Sequence, residues 1–149
     1  MSKVVLSMGA FETLVKHLVS IEEEKSRIID YYFPHSSIKR EEFKRHFEEY
    51  IKKVDQLIKM SDKKQTACDK LPFVIIGSEV EVEELTEHKM YWFRLVNPFN
   101  EKIGIDDVSV LSPVGNSLIL KRIGDEVAVN VPGGVFRYKI RSIKLGVKI

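Results

Sequence analysis

Tyr31-Tyr32-Phe33-Pro34-His35-Ser36-Ser37 divides the first sixty residues into two halves that share one pattern. Pro34 lacks an amide donor and disfavours helix at Phe33, so the chain turns here. Before the turn, Phe11, Leu14, Leu18, Ile21, Ile28 and Tyr32 fall on a 3-4 spacing, with Lys25 at the missing step. That is the seam of a coiled coil rather than the broad face of a globular helix. Glu12, Glu22, Glu23, Glu24 and Arg27 fall mostly off the seam. After the turn, Phe43, Phe47, Tyr50, Val54 and Leu57 step by 4, 3, 4 and 3. Ser7 and Ser37 are placed to accept a bond from a free amide in the first turn of each helix. The short connection makes the two helices antiparallel neighbours. Each arm has about 23 residues, roughly 35 Å of helix. Residues 1–62 are therefore expected to form an antiparallel coiled-coil hairpin. Such a rod either reaches into a partner or serves as a dimerisation or packing element.

Working outward, residues 61–70 are polar and charged, and a linker is set at 63–72. The period then changes to 2. Val80-Glu81-Val82-Glu83 alternates as a half-buried strand does, and residues 90–96 are rich in aromatic and β-branched side chains. Val108-Ser109-Val110-Leu111 reads as a third strand. Ser112-Pro113 opens a short helix to about Lys121, because serine caps well and proline suits the first helical position. Gly124 is expected to stop it. Val127, Val129 and Val131 mark a fourth strand and Pro132-Gly133-Gly134 a turn. Phe136, Tyr138 and Ile140 alternate with Arg137, Lys139 and Arg141 on a fifth. Residues 73–149 thus form a small, mostly antiparallel sheet domain with one short helix, and the fold class is α+β. Arg137, Lys139 and Arg141 share one sheet face, either as a patch for phosphate or an acidic partner or as a solvated face.

Composition sets limits. The 149 residues carry 24 Lys and Arg against 22 Asp and Glu, a net charge of +2. The first 62 residues hold 11 of each sign, so the excess comes from the remaining 13 against 11. No strong field draws in nucleic acid or membrane. The single cysteine, Cys68, cannot close an internal disulfide, which fits a reducing cytoplasm. No apolar run reaches the ~18 residues of a membrane span, and the first six residues are too short for a signal sequence. His17, His35, His46 and His88 are scattered without the paired spacing of a metal site. Trp92 lies in a strand as a candidate core residue. A cytoplasmic, monomeric protein without metal is expected.

Four stretches resemble the second domain of the Gre transcript-cleavage factors. They are Phe73-Val74-Ile75-Ile76-Gly77-Ser78-Glu79-Val80, Ser109-Val110-Leu111-Ser112-Pro113-Val114-Gly115, Ile123-Gly124-Asp125-Glu126-Val127 and Val131-Pro132-Gly133-Gly134-Val135. Met8-Gly9-Ala10-Phe11 and Leu14 look like the start of that family's first helix. The resemblance implies an FKBP-like fold for the sheet domain and bacterial RNA polymerase as partner. The sheet domain would dock on the rim of the polymerase secondary channel through the loop Leu111, Ser112, Pro113, Val114. Some members carry an acidic residue where Leu111 stands. The hairpin would enter the channel, with nucleic acid contacted only inside the transcription complex.

In cleavage-active members the tip carries an acidic motif of the type Asp-Leu-Ser-Glu-Asn-Ala-Glu-Tyr. Carboxylates there suit the polymerase's second, weakly held magnesium and its attacking water. The tip here, Tyr31, Tyr32, Phe33, Pro34 and His35, has no such motif. Asp30, Glu41 and Glu42 are the nearest carboxylates. Adjacent Glu41 and Glu42 point about 100° apart around a helix, a poor chelating pair. His35, Lys39, Arg40, Lys44, Arg45 and His46 make the start of the second arm basic. The aromatic trio is suited either to stacking on a base or to plugging the open end of the coiled coil. The arms look about ten residues shorter than those of cleavage-active members, roughly 15 Å of reach, which is similar to the non-cleaving and Rnk-like relatives. The expected function is a non-enzymatic channel factor that modulates transcription, with no cofactor of its own although it acts near the polymerase magnesium. Alternatives are a true cleavage stimulator using Asp30, Glu41 or Glu42, and a prolyl isomerase suggested only by the FKBP-like fold.

Overall fold

A computed structural model describes residues 4–64, 70–96, 104 and 106–145. Cys68 lies outside the described residues. The chain divides into two compact units, Met1–Cys68 and Asp69–Ile149.

The first unit runs β1 (Val4–Ser7), α1 (Met8–Tyr32), α2 (Ile38–Met60) and β2 (Ser61–Lys64). Both serine caps form: Ser7 Oγ accepts from Ala10 N–H and Ser37 Oγ from Arg40 N–H, each at 3.0 Å. Cross-helix pairs show the antiparallel arrangement, because His17 meets Tyr50, Lys25 meets Glu48 and Asp30 meets Arg40. The seam buries Leu14, Ile21 and Ile28 of α1 against Phe47, Tyr50, Val54 and Leu57 of α2. Each fully buried Leu or Ile contributes about 2 kcal/mol. The seam also takes in His17, which is buried, while Leu18 is only half-buried. His17 Nε2 lies 2.8 Å from Tyr50 Oη, which satisfies both polar groups inside the seam.

Ser61 and Asp62, at the end of the expected hairpin, and Lys63 and Lys64, at the start of the expected 63–72 linker, form one short element. Ser61–Lys64 is a strand, paired in parallel with Val4–Ser7 from Val4↔Ser61 to Ser7↔Lys64. Its polar sequence carries no strand pattern, and backbone pairing with β1 sets its conformation.

The second unit contains β3 (Ser78–Glu84), β4 (Lys89–Val96), β5 (Asp107–Ser109), α3 (Pro113–Leu118), β6 (Glu126–Val131) and β7 (Gly134–Leu145). The strands lie in the order β5-β4-β3-β7-β6, and only the β4–β5 pairing is parallel. One face carries Val80, Val82, Leu95, Val127, Val129, Ile140 and Ile143 into the core with Val74, Ile75 and Leu118. A register shift opposite Glu81 and Val82 leaves Arg141 as an extra residue on β7. Tyr138 and Ile140 point inward before it, Ile143 and Leu145 after it.

Four local expectations change. The third strand stops at Ser109, because Ser109 Oγ and carbonyl take the amides of Leu111 and Ser112 and turn the chain. The helix ends at Leu118 rather than near Lys121. Leu120 adopts φ 64° and donates its amide to Val74 O, which pulls the chain off the helix axis. Gly124, at φ 91°, serves a turn beyond the helix and does not cap it. Trp92 is no core residue: it is 41% exposed on the outer sheet face. Phe136 is likewise exposed.

Candidate functional site

The docking-loop residues Leu111, Ser112, Pro113 and Val114 form a braced turn at the start of α3. Ser109 O accepts both the amide and the hydroxyl of Ser112, at 3.0 and 2.6 Å. Ser112 Oγ in turn accepts from Gly115 N–H at 3.1 Å. Pro113, the first helical residue, is exposed, while Leu111, Ser112 and Val114 are half-buried. Gly115 packs so closely on β5 that a Cβ there would lie 2.0 Å from Ser109 O. The Ser-Pro-Val-Gly string therefore has a backbone reason at three of its four positions: cap, first-turn proline, and a glycine for close approach.

At the hairpin tip the chain turns through residues 33–37. Phe33 packs at a tilt against Phe43 at 4.9 Å, and Phe43 against Phe47 at 5.8 Å, closing the end of the seam with aromatic rings. Tyr31 is 69% exposed and packs edge-on against Tyr32 at 4.9 Å. Pro34 and His35 are exposed. Arg40 crosses the turn: its Nη1 donates to Phe33 O and its Nη2 to Asp30 Oδ1 at 2.9 Å. Asp30 is thus engaged by a guanidinium, while Glu41 and Glu42 point to solvent from the first turns of α2. Among the described residues no three His, Cys, Asp or Glu side chains gather as a metal site.

Arg137, Lys139 and Arg141 are placed on the outer sheet face, but they share it with carboxylates. Arg141 Nε donates to Glu83 Oε1 at 2.9 Å, and Lys139 stands in register with both Glu83 and Glu126. Hydrogen bonds from His88 and then Arg141 hold the Glu83 carboxyl below its ordinary range.

The same outer face holds a feature the sequence reading missed. Lys144, Glu79, Arg94 and Asp107 are successive register partners across β7, β3, β4 and β5, a row of alternating charge. Arg94 grips Asp107 with a fork, Nε at 2.9 Å and Nη2 at 2.8 Å, and Gly104 N–H adds a third bond at 2.9 Å. These partners, Arg94 first, keep the Asp107 carboxyl below its usual range. Lys144 Nζ lies 3.4 Å from Glu79 and 5.1 Å from the centre of the Trp92 ring. The signal was available in part, since Glu79, Glu81 and Glu83 alternate in sequence. Their partners on β4 and β7 depend on register, which alternation alone does not give.

The family described as "Transcription elongation factor, GreA/GreB, C-term" matches residues 69–145. The chain belongs to the GreA/GreB family. The transcription elongation factor GreA of Syntrophus aciditrophicus is 40% identical over 70 residues, covering 47% of this chain and 44% of that protein. GreA of Clostridium acetobutylicum is 34% identical over 94 residues, 63% of this chain and 60% of the relative. The chain thus spans about half the length of the curated relatives it matches. A solved structure of the prokaryotic transcription elongation factor GreA/GreB from Nitrosomonas europaea superposes with a TM-score of 0.57 at 17% identity, covering 95% of this chain and 99% of the other. It shares the GreA-like fold: two long helices, then a curled five-stranded sheet with one short helix. No helix among the described residues is long and apolar enough to cross a membrane.

Proposed function

We propose that the protein binds bacterial RNA polymerase at its secondary channel and modulates transcription without stimulating transcript cleavage. The observation behind the second half is the tip. Its nearest carboxylate, Asp30, is paired with Arg40, and Glu41 and Glu42 are consecutive residues on one helix turn. Two magnesium ligands must converge on one point, and residues about 100° apart around a helix do not. Family membership and the braced Ser112-Pro113 turn support the first half. A loop whose Leu111 and Ser112 amides and Ser112 hydroxyl are already bonded presents its exposed proline with little entropy left to lose on binding.

In this reading the loop of Leu111, Ser112, Pro113 and Val114 docks on the channel rim and the hairpin lies within the channel. The tip of Tyr31, Tyr32, Phe33, Pro34 and His35 obstructs substrate access or other channel factors. The protein performs no chemistry itself, needs no cofactor of its own, and acts as a monomer in the cytoplasm. It touches nucleic acid only within the complex. The test is binding to core RNA polymerase together with RNA length on stalled elongation complexes. Binding with full-length RNA is expected. RNA shortened by the protein overturns the non-cleaving half, and no binding overturns the whole.

A further inference from the structure

The outer face of the sheet opens into a groove of about 550 Å³ lined by Glu79, Trp92, Arg94, Gly104, Asp106 and Asp107 beside Phe93. Three carboxylates and one guanidinium line it. Arg94 is committed to Asp107, which leaves Glu79 and the exposed Asp106 as the acidic rim. Beside them stands the indole of Trp92, an exposed apolar ring flanked by Glu79, Arg94 and Lys144.

Such a groove selects by charge. An anion is repelled by the rim, and a neutral ligand makes no use of it. A cation gains twice, from the negative face of the indole ring and from the carboxylates. The molecule already shows this preference, because the Lys144 ammonium sits over the Trp92 ring with Glu79 beside it. Among cations, a guanidinium fits best: it is planar, stacks on an aromatic face, is weakly hydrated, and pairs with a carboxylate through two parallel bonds. A single ring in an open groove is no cage for a quaternary ammonium; it suits a side chain carried on a partner's surface.

We propose that this groove receives an arginine side chain of the partner protein, stacked on Trp92 and paired with Glu79 or Asp106. The assignment of that partner rests on the reading above. β5, which carries Asp107 of the groove, leads within four residues into Leu111, Ser112, Pro113 and Val114, so the groove and the docking loop are adjoining stretches of chain. Lys144 is the internal competitor that the arginine displaces.

Trp92 is the only tryptophan, so its fluorescence reports the groove directly. The probe is the peptide acetyl-Gly-Arg-Gly-amide, with the citrulline peptide as neutral isostere. A saturable change with the arginine peptide alone is expected. Lys144→Gln strengthens it about threefold, the size of one exposed cation–π contact, and Asp106→Asn weakens it. No response, or an equal response to citrulline, overturns the site. In a second arm, Trp92→Leu lowers affinity for core RNA polymerase about threefold with an unchanged thermal midpoint. Unchanged affinity overturns the partner assignment. If wild-type protein fails to bind polymerase while the peptide still binds, the groove stands and the polymerase reading falls.

Discussion

The two units are built under different rules. In the hairpin, what matters is that apolar side chains recur at the seam; Leu14, Ile21 and Val54 fill positions that any similar side chain would fill. In the sheet unit, particular backbone atoms demand particular residues. Gly115 has no room for a Cβ, Gly77 holds φ 91°, and Ser112 and Pro113 each answer to one place in a six-residue helix. The family match covers 69–145 and leaves the hairpin outside it. A rod built on a pattern is free to change its composition, whereas the sheet unit is held to particular residues by its backbone.

Gly115→Ala strikes hardest at this contrast. In a helix that change ordinarily stabilises by about 1 kcal/mol, but here the new methyl meets Ser109 O, and a loss of about 3 kcal/mol is expected. Trp92 fluorescence reports the sheet unit. Ellipticity at 222 nm is dominated by α1 and α2, with 25 and 23 residues against 6 in α3. The urea midpoint should fall by fluorescence and hold by ellipticity; a common fall means the units unfold as one.

Acid should separate them the other way. Burial lowers the His17 pKa from 6.5 to about 4, so the folded hairpin keeps it neutral where the unfolded chain protonates it. The stabilising effect is whole above pH 6.5 and lost as pH falls toward 4, up to about 3 kcal/mol in all. Tyr50 is the polar group that faces it across the seam. The Lys25–Glu48 pair, which lowers the Glu48 pKa, adds to the loss only below about 4.5. In the sheet unit the lowered carboxyls of Glu83 and Asp107 also respond only in that lower range. Between pH 6.5 and 5, ellipticity should therefore weaken first, and His17→Leu should flatten its pH dependence. An unflattened profile removes His17 from the account.

Ser112→Ala removes one cap, about 1 kcal/mol by fluorescence-detected unfolding, and should also weaken polymerase binding because the loop loses its brace. Ser37→Ala costs the hairpin a similar amount with no effect at the docking loop; equal binding losses from both would unseat the loop as the contact. The smallest effect belongs to Asp30→Asn. An exposed ion pair contributes about 0.5 kcal/mol, and Arg40 keeps its bond to Phe33 O. Cleavage assays should not distinguish this variant from wild type.

The elements that follow from side-chain period were legible: both long helices, their serine caps, and β3, β4, β6 and β7. Those that depend on pairing were not. β1 and β2 are four residues each, and Ser61-Asp62-Lys63-Lys64 has no apolar side to betray a strand. The 3-4 spacing runs through Leu18 and gives His17 no place in the seam, whereas the helix turns one position to bury His17 against Tyr50. Trp92 was placed in the core by its type. Its register beside Glu81 puts it outside. For the site, the loop could be read as a cap and the tip as lacking an acidic motif. The Arg40 bridge, the charge row and the groove required partners distant in sequence.

One detail of the hairpin base reaches further. Ser7 is both the last residue of β1 and the cap of α1, and Ser61 is both the first residue of β2 and the cap of α2. No slack separates helix from strand at either junction. A local opening that frays one helix end must therefore disturb the strand pair, and through it the other helix. The amides on either side of both serines should then exchange with solvent as one group, with a single opening free energy. The hairpin is gripped cooperatively at its base, while its tip turn, held by Arg40 and Ser37, opens on its own clock.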